Sequence, residues 1–70
     1  MLDILESELR FTYHAPKQGQ SEKYEEIRSR IKKMAEMIDH LCPDCREKAL
    51  AFTKLEEAVF WANAAIARRE

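Results

Sequence analysis

The chain has 70 residues, 46% hydrophobic and 36% charged, with 12 basic and 13 acidic residues for a formal net charge of −1. That leaves room for one domain. It excludes a disordered composition and a basic field able to hold a nucleic-acid polymer through its phosphates. One Gly and two Pro are too few turn residues for a small sheet fold, so the expected class is all-α.

The longest strongly apolar run, Ala58–Ala67, is too short to span a bilayer. The opening residues Met1-Leu2-Asp3-Ile4-Leu5-Glu6 carry no basic start or cleavage site of a signal peptide. A chain this small buries only about 60% of its unfolded surface, and two cysteines supply no disulfide framework. Self-association is the expected source of the missing burial.

Residues Met1–Arg10 read as a short helix. Asp3 with Glu6 fits a capping box, and Leu2, Ile4, Leu5 and Leu9 mark an apolar face. Phe11–Gln20 reads as a loop that holds Pro16, the single Gly19, two aromatics, His14 and Lys17. Loops of this length in compact domains are commonly functional. Ser21 is the expected N-cap of a helix over Glu22–Leu41, with Glu22, Glu25 and Glu26 at its positive end. Tyr24, Ile27, Ile31, Met34, Ile38 and Leu41 alternate at spacings of three and four, a narrow coiled-coil-like seam.

Cys42-Pro43-Asp44-Cys45 reads as a turn, and Asp44 with Glu47 as a second capping box. The third helix is expected over Cys45–Arg68, with Phe52, Leu55, Val59, Ala62 and Ile66 continuing the seam. So short a connection makes the long helices antiparallel neighbours. The expected fold is therefore a short N-terminal helix followed by an antiparallel two-helix hairpin. Ala58–Ala67 has one polar residue, Asn63. A helix that is apolar on every side is buried on every side, so Phe60 or Trp61 is expected to face other subunits.

Three groups of residues invite a chemical reading. Cys42 and Cys45 are spaced as a redox or metal-binding pair. The βαβ context of a redox dithiol is missing, and zinc would need His40 and His14 as well. A turn that simply holds reduced thiols is the plainer reading. The carboxylates Glu22, Glu25, Glu26, Glu56 and Glu57 have no nucleophile or metal beside them, which argues against catalysis.

Tyr13, His14 and Lys17 place a stacking plane, an adaptable hydrogen-bonding group and a cation within five residues. Such groups read a base and its phosphate. The alternative is that Phe11 and Tyr13 plug the end of the hairpin. Arg28, Arg30, Lys32 and Lys33, with Arg68 and Arg69, read either as a solvated face or as an anion pocket. In an antiparallel hairpin Arg28 and Arg68 are expected to converge near the Tyr13 loop. With a near-neutral net charge, that favours a small phosphate-bearing ligand over a polymer.

Three segments carry a family resemblance: Phe11-Thr12-Tyr13-His14-Ala15-Pro16-Lys17, Tyr24-Glu25-Glu26-Ile27-Arg28, and Leu55–Arg68 with its Ala62-Asn63-Ala64-Ala65-Ile66-Ala67 ending. Together they resemble the helical hairpin domain of the phage anti-CBASS and anti-Thoeris nucleotide sponges. The resemblance implies a non-enzymatic, cofactor-free protein in the cytoplasm of the infected bacterial host. It implies sequestration, without cleavage, of cyclic dinucleotides and cyclic trinucleotides, and in some members of cyclic ADP-ribose isomers.

The resemblance also implies a homohexamer. On this chain Tyr13 matches the stacking aromatic, Arg28 a phosphate contact, and Arg68 or Arg69 the basic residue after the Ile-Ala ending. His14, Lys17 and Asn63 belong to the motifs either as ligand contacts or as shapers of the fold. Anti-Thoeris members carry an N-terminal β-rich region where this sequence has only the short helix, so the resemblance leans toward the anti-CBASS branch. The competing reading of the residues is a homo-oligomeric helical adaptor that binds a protein partner through Trp61. A small zinc-binding regulator is the third.

Overall fold

The computed structural model describes residues 2–70. Three helices follow in order: α1 (Ile4–Phe11), α2 (Gln20–Leu41) and α3 (Arg46–Arg69). No strand occurs among the described residues. Met1, which the sequence reading included in the first helix, lies outside them.

α1 starts where its cap residue dictates. Asp3 is the N-cap, and its Oδ1 accepts the Glu6 amide at 2.7 Å. Phe11 is the last residue of α1, so the connection to α2 runs from Thr12 to Gly19, shorter at both ends than expected.

The expected Ser21 cap is corrected. α2 begins at Gln20, its N-cap is Gly19 at φ +86°, and no side chain caps it. Gly19 alone supplies this left-handed backbone without a Cβ penalty. Gln20 then does what a cap would: its Oε1 accepts the Lys17 amide at 2.9 Å, and its own amide donates to the Lys17 carbonyl at 3.0 Å.

α2 and α3 form the expected antiparallel hairpin. At one end Gln20 Nε2 donates to the Ile66 carbonyl at 3.3 Å. At the other, Lys48 Nζ donates to the Asp39 carbonyl at 3.0 Å. The expected Asp44–Glu47 capping box is also corrected. Cys45 is the N-cap of α3 and makes no side-chain cap bond. The Asp44 carboxylate instead accepts from Lys48 Nζ at 2.8 Å, because that ammonium is buried under the turn and needs its charge met.

The seam residues Tyr24, Ile27, Ile31 and Ile38 on α2 and Phe52, Leu55, Val59, Ala62 and Ile66 on α3 are half-buried. Met34 and Leu41, expected in the same seam, are exposed. Two helices cover only one stripe of each other, and no apolar residue described here is fully buried. The accessible surface is 5918 Å², against about 4,600 Å² for a compact monomer of this mass. The radius of gyration is 15.4 Å, against about 11 Å for a compact domain of this length. α1 packs across α3 and leaves Phe60 and Trp61 63% and 66% exposed. Among the described residues no helix is long and apolar enough to cross a membrane.

Candidate functional site

The open end of the hairpin is where α1, the Thr12–Gly19 connection, the start of α2 and the end of α3 meet. Two-pronged hydrogen bonding sets α1 there. Arg69 Nη2 donates to Glu6 Oε1 at 2.6 Å, and Nη1 to Oε2 at 3.3 Å. Arg10 Nε adds a bond to Glu6 Oε1 at 2.9 Å. Arg69 first, and Arg10 after it, hold the Glu6 carboxyl down to about 2. The same contact raises Arg69.

The connection is pinned at three points. His14 Nε2 lies 2.8 Å from the Leu9 carbonyl. That oxygen can only accept, so Nε2 carries the proton and donates. Lys17 Nζ donates to the Glu70 carbonyl at 2.7 Å. Gln20, 4% exposed, bridges the connection to α3 through Ile66 and the Glu70 carboxylate. Lys23 Nζ donates to that carboxylate at 2.6 Å and, ahead of Gln20, draws it below its ordinary range.

These restraints frame a shallow, largely open concavity of about 400 Å³. Tyr13, His14, Asn63 and Arg68 line it together with Leu9, Arg10, Thr12, Tyr24, Phe60, Ala64 and Ala67. Tyr13 is 83% exposed, so its ring is free to accept a planar ligand. Asn63 sits mid-helix on α3, and its Oδ1 is buried with no hydrogen-bond partner. A second concavity, about 520 Å³, opens on the other side of Arg68 and is lined by Arg10, Phe11, Trp61, Ala64, Ala65 and Arg69 as well.

Four of the seven candidate residues from the sequence therefore share one concavity within a single chain: Tyr13, His14, Asn63 and Arg68. The other three do not. Lys17 turns to Glu70, and Arg69 lines the second concavity while paired with Glu6. Arg28 pairs with Glu25 and lines an adjoining apolar groove with Ile31, Lys32, Ala35, Phe52 and Leu55. The expected convergence of Arg28 with Arg68 is thus not made inside one chain. Arg28 lies one helical turn beyond Tyr24, about 6 Å along the axis, which carries it past the rim. The two hollows touch through Phe60, which lines both.

Arg10 and Tyr24 are lining residues that the sequence reading did not select. Tyr24 falls at a seam spacing, although its hydroxyl makes it a poor core residue. Arg10 was read as a helix end, although it lies next to the loop that carries Tyr13.

Cys42 and Cys45 are free and exposed at the opposite end of the hairpin from His14. Among the described residues no group of three or more His, Cys, Asp or Glu side chains is placed to hold a metal ion.

No curated protein and no solved structure matches the chain. A family model described as Acb2/Tad1, hairpin domain matches residues 6–67. The match takes in α1 from Glu6 onward, the connection, all of α2 and nearly all of α3, including every residue that lines the first concavity except Arg68. The chain belongs to the Acb2/Tad1 hairpin family, the anti-CBASS and anti-Thoeris sponges, which implies a role as a phage cyclic-nucleotide sponge.

Proposed function

We propose that this protein is a stoichiometric trap for cyclic oligonucleotide second messengers, acting in the cytoplasm of the infected bacterium. It binds cyclic dinucleotides and cyclic trinucleotides, and cyclic ADP-ribose isomers are the further candidates. It holds them without cleaving them, and bacterial effectors that depend on the signal stay off.

The observation that carries this reading is the concavity in which Tyr13, His14, Asn63 and Arg68 meet. An exposed phenol ring can stack on a base, and a guanidinium beside it can hold a phosphate bidentately. Stacking and charge pairing hold a phosphodiester without cleaving it.

Assembly completes the site in this proposal. The absence of a fully buried apolar residue among the described residues, the excess accessible surface and the exposed Phe60 and Trp61 support burial against further copies, and the family resemblance implies a homohexamer. Arg28, outside the single-chain concavity, would then serve a pocket built from more than one subunit. Enclosure on several sides lets a small fold capture a ligand tightly.

Calorimetric titration with cyclic di- and trinucleotides and cyclic ADP-ribose isomers tests the reading. Saturable binding of at least one class at fixed stoichiometry is expected. Absence of binding across the panel contradicts it.

The exposed Trp61 face supports a second reading, a homo-oligomeric adaptor for a protein partner. Light scattering separates the two. Self-association that protects Trp61 from solvent quenchers favours the trap, and an assembly that leaves Trp61 accessible favours the adaptor.

A further inference from the structure

We infer that Cys42 and Cys45 form a two-thiolate site for a soft monovalent cation, copper(I), at the turn of the hairpin. The two residues bracket that turn. Cys42 closes α2 and Cys45 is the N-cap of α3. Only Pro43 and Asp44 separate them, and both thiols are free and exposed. Cys45 Sγ folds back over the turn and donates to the Pro43 carbonyl at 3.3 Å.

Neither packing nor capping accounts for these sulfurs. Unpaired cysteine is among the most buried residue types, yet both of these face solvent. An N-cap position favours Ser, Thr, Asp or Asn, whose oxygen accepts an amide of the first turn. Cys45 makes no such bond. What the pair does offer is two soft donors on one turn, open to an ion from solution.

The donor set selects the ion. Structural zinc sites take four ligands and iron–sulfur clusters four thiolates. Among the described residues no third His, Cys, Asp or Glu side chain is placed with the pair. Copper(I) prefers soft sulfur and is satisfied by two thiolates. Binding is an exchange without redox change: two S–H protons leave, two S–Cu bonds form, and the copper stays monovalent. The bound unit carries one negative charge. Cys45 stands at the positive end of α3, which favours that charge. The neighbouring carboxylates Asp39 and Asp44 are both engaged by Lys48.

The turn lies at the opposite end of the hairpin from the concavity, so the inference stands apart from the trap and so does its test. Copper(I) is titrated without oxygen into wild type, Cys42→Ser and Cys45→Ser, against a chromophoric copper(I) chelator. Wild type is expected to take up one ion per chain, with two sulfur ligands in its X-ray absorption spectrum. Uptake should strengthen as pH rises, because two protons are released.

Each serine variant is expected to bind more than about 100-fold more weakly, beyond the loss that follows removal of an outer-shell partner. Its circular dichroism should match wild type, since the thiols are exposed. No uptake against the chelator overturns the proposal. So does undiminished uptake in either variant, or half an ion per chain, which would place the metal between two copies.

Discussion

Arg69 grips both carboxylate oxygens of Glu6, at 2.6 and 3.3 Å, and so fastens the last turn of α3 to the first turn of α1. Without that pair nothing else of comparable geometry fixes α1 to the hairpin, and α1 carries Leu9 and Arg10 at the rim of the candidate site. A helix of eight residues is marginal without tertiary support.

The Glu6 contact sets an acid limit for this end of the molecule. Its carboxyl is lowered from 4.5 to about 2, so the contact stabilises fully above the ordinary value and is lost as pH falls through about 2. Backbone amide resonances of α1, followed between pH 6 and pH 2, are expected to shift toward coil values only toward the bottom of that range. In Glu6→Gln, α1 should be loosened already at pH 6 and the acid response should vanish. Identical profiles in the two proteins would show that Arg69 does not hold α1 in place.

Gln20 ties the connection to α3 with both ends of its carboxamide. Gln20→Ala leaves the Lys17 amide and the Ile66 carbonyl without this partner. The expected loss is roughly 1–3 kcal/mol in a denaturant melt, as for other part-buried bonds removed on one side. Amide exchange should quicken through Thr12–Gly19, ahead of the hairpin turn. A change below a few tenths of a kcal/mol would mean that water replaces Gln20 at no cost.

Lys48 holds the other end. Its ammonium donates to the Asp39 carbonyl and the Asp44 carboxylate and pairs with the Asp39 carboxylate at 3.0 Å. Asp44 first, then Asp39, raises it above the ordinary lysine range. Lys48→Met is expected to lower the thermal midpoint by several degrees. It should leave nucleotide binding by the remaining folded protein unchanged, because the turn lies at the far end of the hairpin. A loss of affinity without a loss of stability would contradict this separation.

Tyr13 and Arg28 test the pocket itself. Tyr13→Ala should weaken dinucleotide binding about 5- to 150-fold, the range for loss of one base–aromatic stack. The oligomer should stay intact. Arg28→Ala should weaken binding as well, even though Arg28 lies outside the single-chain concavity, because the proposed assembly would bring it to a pocket shared between copies. Unchanged calorimetric titrations in both variants would remove these residues from the site.

The helices were legible because their signals are local. Asp3 caps α1 as its type and spacing suggest, and the three–four alternation from Tyr24 onward gives the face of α2 that meets α3. The start of α2 was not legible. Ser21 has the better capping chemistry, but Gly19 takes the left-handed turn and the Gln20 side chain satisfies the loop, which is a tertiary outcome. The Lys48 clasp was hidden for the same reason: its partners come from both sides of the turn.

At the site, Tyr13 and Arg68 line one concavity, as an antiparallel hairpin suggests, and His14 and Asn63 line it with them. Arg69 could not be sorted from Arg68 by sequence, because one residue of helical phase decides which hollow a side chain lines, and Arg28 lies on α2 a turn beyond Tyr24. Glu6, an ordinary first-turn carboxylate in sequence, is what engages Arg69.

The central claim is that the protein holds a cyclic nucleotide and does not alter it. The most direct measurement is to load the purified protein to saturation, remove free ligand, denature, and weigh what is released by mass spectrometry. The account predicts intact cyclic nucleotide in fixed stoichiometry to the chain. A linearised or hydrolysed product, or no released ligand at all, would contradict it.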